Sequence, residues 1–307
     1  MSTHYFRFPL RGAVGRQRSR LLERLLARAD GSTPVIDWRA DAFHVIAPTM
    51  TRMPGVGATA LCAERGIVDA ASVFVATPVH YAAEMSNVRL PADGILSLRR
   101  SEAEALADDF NRVWHDAGIR LLAGRCAELF CVADQPITAT TCDPEDVLDR
   151  RIESYLPSGA AARRLRQLMS EIEMWLFEHA VNRARTAAAA PAVNGLWLWG
   201  GGPALRSLPP VDGWTAGDDP FFRAFGAHAG IDPQAAAASG VVVIAAEPAT
   251  NEWRDIEWRW LQHSLADLRS GRISRLDLSA GKRCFSLSAR WSWRFWRRHS
   301  PWWEFFA

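Results

Sequence analysis

Asn194-Gly195-Leu196-Trp197-Leu198-Trp199-Gly200-Gly201-Gly202-Pro203 is an apolar burst that runs into three glycines and a proline. Such a run reads as a short buried strand that ends in a glycine turn. The stretch before it has a different period. From Ala161 to about Arg185, Leu165, Leu168, Met169, Ile172, Trp175 and Leu176 recur at three- and four-residue intervals, which puts them on one face of a helix. A long amphipathic helix followed by a buried strand places the chain in the α/β class. Continuing the helical face past Leu176 brings His179, Asn182 and Arg183 to its inward side, facing whatever the glycines at Gly200–Gly202 approach.

Working outward, Ser19–Ala29 has helical spacing and stops at the Asp30-Gly31 turn signal, and Ser101 is an N-cap candidate for a helix to about His115, with Glu104 at the capping-box position. Strands are expected at Phe43–Ala47, Ser72–Thr77, Ile119–Ala123, Glu128–Val132 and Val241–Ala245, and a helix at Trp253–Arg269. Ile273–Leu278 and Arg283–Ala289, joined across Ala280-Gly281-Lys282, read as a hairpin. With no internal repeat or low-complexity linker, the expectation is one mixed-sheet α/β domain over residues 1–307, with helices packed on the sheet, a C-terminal hairpin and a Trp-rich tail. That tail, residues 291–307, interleaves aromatic rings with arginines. It fits a segment that wraps the domain and buries its rings, because aromatics dominate core energetics. Undocked, it would be an exposed apolar patch for a partner, for bases or for a membrane surface.

Composition narrows the function classes. The 307 residues are 49% hydrophobic and 23% charged, which is the balance of a folding chain. Formal net charge is +2, so there is no overall electrostatic footprint for nucleic acid. Lys282 is the single lysine among the basic residues, and a coding bias explains that as well as function does. Five cysteines form no C-x-x-C pair, which fits a reducing compartment. No 18 apolar residues run together and the N-terminus has no apolar signal core, so a cytoplasmic protein without a membrane span is expected.

Two readings of the polar cluster stay open. His179, Asn182 and Arg183 can close the helix's own C-terminal carbonyls and tie it to the next loop. Alternatively, Arg183 and the backbone N–H groups of Gly200–Gly202 can hold a small anion. His80, in Pro78-Val79-His80 directly after a strand, stands where α/β proteins place ligand contacts. Gly55-Val56-Gly57-Ala58-Thr59-Ala60 matches a loose dinucleotide fingerprint in the wrong context: Pro54 stands where a strand should end, and no acidic residue follows about 20 positions on. Walker, nucleophile-elbow and zinc spacings do not occur.

His179-Ala180-Val181-Asn182-Arg183-Ala184-Arg185, followed by Val193-Asn194 and Trp199-Gly200-Gly201-Gly202, resembles the H-P-V-N-x-x-R…A-N-x-x-x-x-W-G-x-G signature in the insertion segment of archaeal-type cofactor-independent phosphoglycerate mutases. Thr138-Ala139-Thr140-Thr141-Cys142-Asp143-Pro144 is similar to that family's T-D-x-D-P motif. Ala180 stands where the family has proline. Over nearly its full length the chain also resembles the RpfE-type regulatory proteins, phosphoglycerate mutase-like bacterial relatives. Leu168–Leu176, Trp197–Gly202 and Leu276–Gly281 carry that likeness. The mutase resemblance implies a two-metal core that activates a serine, yet the sequence has no Asp-His or His-His pair to build one.

The resemblances therefore imply a non-catalytic binding or regulatory protein with a remnant phosphometabolite cleft. Its ligand would be a small phosphorylated metabolite or a protein partner. The candidate ligand-binding residues are His80, His179, Asn182, Arg183, Asn194, Trp199, Gly200, Gly201 and Gly202, with no catalytic residue, metal ligand or cofactor assigned. The alternatives are a mutase or related metal-dependent phosphotransfer enzyme, and an interaction module that works through the Trp-rich tail.

Overall fold

A computed structural model of the protein describes residues 2–9, 18–85, 87–226, 239–244, 256–294, 296–297 and 300–306. The fold is mixed α/β and divides into two compact units, Met1–Met53 with Pro209–Ala307, and Pro54–Leu208.

The first unit begins with β1 (Thr3–Arg7), α1 (Arg20–Ala27), β2 (Gly31–Pro34) and α2 (Trp38–Ile46). Ser19 caps α1, its Oγ accepting the Leu22 N–H at 3.0 Å, and Leu22, Leu25 and Leu26 are buried. Each such leucine stabilises the fold by about 1.5–3 kcal/mol through its removal from water. The expected strand at Phe43–Ala47 is instead the end of α2. Asp37 Oδ1 accepts the N–H groups of Arg39 and Ala40, both at 3.1 Å, and this cap starts a helix that carries Phe43 and Ile46 inward.

The second unit occupies the next stretch of chain. It contains α3 (Val56–Arg65), β3 (Ser72–Val79), β4 (Ala82–Ala83), β5 (Val88–Leu90), α4 (Arg100–Val113), β6 (Ile119–Ala123), β7 (Leu129–Ala133), β8 (Arg150–Arg151), α5 (Ala162–Phe177), α6 (Ala180–Ala187) and β9 (Gly195–Pro203). Its main sheet has the order β6-β7-β3-β9, antiparallel throughout, beside a small β4-β5-β8 sheet. The α4 helix starts earlier than expected. Arg99 is the N-cap, and Glu102 Oε2, not Glu104, reaches back to accept the Arg99 N–H at 2.7 Å.

The glycines expected to form a turn are part of β9. Val73 pairs with Gly202 and Val75 with Trp199, so Phe74 faces a bulge formed by the extra residues of β9. Gly200 takes φ +61°, a conformation that favours glycine. A Cβ on Gly201 would lie 2.2 Å from the Phe74 ring, and one on Gly202 would lie 3.0 Å from the Gly55 backbone. Gly57 presses in the same way on the backbone of Phe74 and Val75. The glycines of the dinucleotide-like stretch and those of β9 thus let α3 sit close on β3 and β9.

The chain then returns to the first unit with β10 (Trp214–Gly217), α7 (Pro220–Gly226), β11 (Gly240–Val243), α8 (Gln262–Ser270), β12 (Arg275–Ala280) and β13 (Arg283–Leu287). A π-type turn at Glu257–Leu261 leads into α8, and the part of the expected Trp253–Arg269 helix before residue 256 lies outside the described residues. The six-stranded sheet runs β10-β11-β1-β12-β13-β2, with the first four strands paired in parallel and the β12–β13 and β13–β2 pairs antiparallel, so that β13 alone opposes the rest. The β12–β13 hairpin turns at Gly281, φ +51°. One core cluster of this unit joins Phe6, Phe8, Leu22, Leu268 and Leu276 to Trp291, Trp302 and Phe306 of the Trp-rich tail.

Candidate functional site

Periodicity runs one helix from Ala161 to Arg185, whereas the structure breaks it at Glu178-His179. Neither glycine nor proline marks the break. His179 takes extended backbone (φ −67°, ψ 141°), and its Nδ1 accepts the Val181 N–H at 3.1 Å, so it is the N-cap of α6. Ala180 is then the first helical residue, the position where proline's fixed φ is pre-organised. An alanine there leaves the chain path intact.

Because Nδ1 accepts a backbone N–H, the neutral ring of His179 carries its proton on Nε2, which lies 3.0 Å from Asp109 Oδ2 of α4. The edge of Trp175 closes the other side, with ring centroids 4.7 Å apart. Burial holds the His179 imidazole below its ordinary pKa against the upward pull of Asp109.

Asn182 uses both amide N–H groups and its oxygen inside the unit. Nδ2 donates to Leu176 O and Val193 O, both at 2.7 Å, and Oδ1 accepts the Val193 N–H at 2.8 Å. The side chain stitches the end of α5, the start of α6 and the entry to β9. Arg183 is exposed, and its Nη1 donates to Glu178 O at 2.6 Å, closing a carbonyl at the end of α5.

Beside this junction, Asn194 holds the backbone of Tyr81 from both sides: Oδ1 accepts its N–H at 2.7 Å and Nδ2 donates to its C=O at 2.9 Å. Half-buried His80 has Nδ1 2.7 Å from Ala192 O. Asn182, Asn194 and His80 are therefore linked through the short segment 192–194.

Gly200, Gly201 and Gly202 are not brought to them. Gly195 pairs with Val79 at one end of the β3–β9 ladder and Gly202 with Val73 at the other. Six residues from Asn194 to Gly200 at about 3.3 Å each separate the two groups by roughly 20 Å. Trp199 lies between, buried, its Nε1 donating to Thr77 Oγ1 at 2.7 Å. Neighbouring Trp197 donates through Nε1 to Cys142 O at 2.9 Å, which ties in the T-D-x-D-P-like stretch. Burial, with Asp146 and Asp143 adding to it, pushes the Cys142 thiol up to about 12, which makes it an unreactive thiol.

Sequence reasoning missed the ion pairs. Arg185 is buried; Nη1 lies 3.2 Å from both Glu102 oxygens and Nε donates to Pro191 O at 2.7 Å. Burial pushes the Glu102 carboxyl up, but the Arg99 backbone N–H and the Arg99 and Arg185 guanidiniums outweigh it and hold it below its ordinary range. Only the second arginine of the H-P-V-N-x-x-R-like motif signalled this, and one sequence cannot name its partner.

An open groove of ≈ 490 Å³ in the second unit is lined by Glu64, Arg65, Arg100, Glu104, Asp108, Asn111, residues 121–125 and Ala107. It includes none of the sequence-derived candidates. Its charges are matched locally: Arg100 pairs with Glu104 at 2.8 Å, and Arg65 donates to Ala123 O at 2.7 Å. The Asn111 amide closes the free edge of β6 by bonding both Leu121 N and Leu121 O.

In the first unit, α/β logic places ligands beyond the C-terminal ends of the parallel strands. There Arg7 ends β1, its Nη1 donating to Ser279 Oγ at 3.2 Å and Gly281 O at 2.9 Å, with Cζ 4.9 Å from the Trp38 ring centroid. Asp219 follows β10. Its Oδ2 takes Arg39 Nε at 3.1 Å and Nη2 at 2.8 Å, and its Oδ1 accepts the Phe221 and Phe222 N–H groups. A two-cation core needs several carboxylates and imidazoles facing one point. Here Arg39 pairs with Asp219 and Arg7 stands at the end of β1, and among the described residues no group of three or more His, Cys, Asp or Glu could hold a metal ion. The described residues do not offer the donor set of a metal pair.

No protein-family model matches the chain. In sequence it is 38% identical over 71 residues to the 2,3-bisphosphoglycerate-independent phosphoglycerate mutase of Methanothrix thermoacetophila, covering 23% of this chain and 18% of that protein. It is 25% identical over 181 residues to the enzyme of the same description from Methanosarcina mazei, covering 55% and 46%. The matched stretches thus span less than half of these relatives. Among solved structures, a cofactor-independent phosphoglycerate mutase from Thermoplasma acidophilum aligns over 94% of this chain and 89% of its own at 14% identity, TM-score 0.38. The PH0037 protein from Pyrococcus horikoshii aligns over 94% and 88% at 10% identity, TM-score 0.41. The chain is phosphoglycerate mutase-like. No helix among the described residues is long and apolar enough to cross a membrane.

Proposed function

We propose that this chain is a phosphoglycerate mutase-like binding or regulatory protein of the RpfE type, one that works without metal-dependent phosphoryl transfer. One observation carries the reading: where a two-metal core would need converging acids and imidazoles, the described residues offer the Arg39–Asp219 pair and Arg7. The same reading takes residues 1–307 as one mutase-like domain, both units included, in a reducing cytoplasm.

Its remnant cleft, for a small phosphorylated metabolite or a protein partner, is proposed over His80, His179, Asn182, Arg183 and Asn194; Trp199, Gly200, Gly201 and Gly202 lie farther along β9 and serve packing. Within that set the second ring nitrogen of half-buried His80 and the exposed guanidinium of Arg183 are the groups open to a ligand. Asn182 and Asn194 serve as scaffold. The sequence likeness to the Methanothrix mutase supports a second reading, a mutase or related phosphotransfer enzyme.

Metal analysis of the purified protein, with turnover assayed on 3-phosphoglycerate in the presence of Mn²⁺, separates the two. The proposal expects substoichiometric metal and no turnover. Stoichiometric metal together with turnover would overturn it.

A further inference from the structure

Arg24 and Arg28 lie one turn apart at the C-terminal end of α1, both half-buried. A helix C-terminus attracts cations, and two arginines of the Trp-rich tail use it in the ordinary way. Arg294 Nη1 donates to Arg28 O at 3.2 Å, and Arg297 Nη1 donates to Ala29 O at 2.9 Å. Arg24 and Arg28 differ from these. Among the described residues, the Nε atoms of both are buried without a hydrogen-bond partner, and so is Nε1 of Trp291.

These donors belong to one neighbourhood. The Arg28 guanidinium lies 5.7 Å from the Trp291 ring centroid and that of exposed Arg269 lies 5.1 Å from it. Burial first, and the charge of Arg24 second, make the Arg28 guanidinium less basic than usual, the mark of a cation desolvated beside another cation. The carboxylates closest in sequence have other partners. Glu23 binds Arg18, Asp30 binds Arg294 and the Ser288 N–H, and Asp267 binds Arg272. A helix dipole accounts for the charges but not for N–H groups buried without acceptors.

We propose that Arg24, Arg28 and Trp291, with Arg269 at the rim, form a binding site for a doubly charged oxyanion of the phosphate-monoester class. Its oxygens would accept the arginine N–H groups as charge-assisted bonds and the indole N–H as a third. The site uses none of the mutase-motif residues and stands independently of the function proposed above. Phosphate of this kind comes either from a soluble metabolite or from a lipid headgroup. The second source is relevant because Trp293 and Trp296, in the same segment, are 73% and 67% exposed, and indoles favour the membrane–water interface.

The test uses the full chain. Inorganic phosphate is titrated at constant ionic strength with the melting temperature and tryptophan fluorescence as readouts, and sedimentation is measured with phosphatidylcholine vesicles with and without phosphatidic acid. Wild type should show a saturable phosphate response, and the R24Q/R28Q double variant should lose at least tenfold in affinity with its unliganded melting temperature unchanged or raised. Arg290→Gln, an exposed arginine of the same segment, should bind like wild type. If the double variant does not fold, Arg269→Gln must weaken binding several-fold. Phosphatidic-acid-dependent sedimentation competed by phosphate assigns the headgroup, and a phosphate response without sedimentation assigns a soluble ligand. No saturable response to either, or equal responses in wild type and variants, overturns the proposal.

Discussion

Two polar clusters in this molecule look alike in sequence and opposite in structure. In the second unit, Asn182 and Arg185 lie in or beside a buried helix junction, and their donors and acceptors are met by Leu176, Val193, Pro191 and Glu102. In the first unit, Arg24, Arg28 and Trp291 keep buried N–H groups that nothing among the described residues accepts. Buried polar groups closed internally hold a fold together, whereas those left open point to a ligand. What separates a structural cluster from a binding one is therefore the fate of each lone pair and proton.

The most severe test of the closed category is Arg39→Met. It strands Asp219, 1% exposed, without its cation, and should cost about 3–5 kcal/mol in urea unfolding. A loss below 1 kcal/mol would mean the pair is not structural. Next, Asn182→Ala removes the partner of both the Val193 N–H and the Val193 C=O, while Leu176 O keeps the His179 N–H, and should cost about 3 kcal/mol, since each stranded buried group costs about 1–3 kcal/mol. Arg24→Gln, from the open cluster, should be neutral or slightly stabilising in the same assay. Equal losses for Asn182→Ala and Arg24→Gln would erase the contrast between the clusters.

Smaller effects sharpen the picture. Gly201→Ala drives a methyl into the Phe74 ring and should cost about 2 kcal/mol, much of it recovered when Phe74→Leu is added. A cost that survives the second change would place the strain in the backbone. The mildest effect follows pH. The folded pKa of His179 is lowered, so its share of stability is complete above the unfolded value near 6.5 and is lost as pH falls below that value toward the folded one. His179→Asn keeps a good N-cap that does not titrate. Unfolding of this variant, followed against pH, should be flatter below 6.5 than wild type. Matching slopes would show that the cap is not the titrating element.

Much of the architecture was legible because periodicity and caps are local. The helical spacing after Ser19, the buried run of β3, the β12–β13 hairpin and the α/β class all follow from residues a few positions apart. Three of the misread elements have identifiable reasons. Phe43–Ala47 is a short apolar run that fits either strand or helix, and the Asp37 cap decided it. The break at His179 carries no glycine or proline. The central strand β1 went unseen because its buried run mixes His4 and Arg7 with aromatics, and the fold supplies their partners Ser264, Ser279 and Gly281.

The site was legible in part. The H-x-V-N-x-x-R-like motif falls at a junction of helix ends and β9, but what its residues face depended on Val193, Tyr81 and Glu102, which lie from 11 to more than 80 positions away along the chain. Sequence alone determined residue types, local periods, the +2 charge and the likeness to phosphoglycerate mutases. Tertiary structure alone decided which glycines let elements pack, which charges neutralise one another and which N–H groups remain open. Helix and strand periods come from bonds along the chain, while the pairing of a buried donor depends on what long-range packing brings within 3 Å of it.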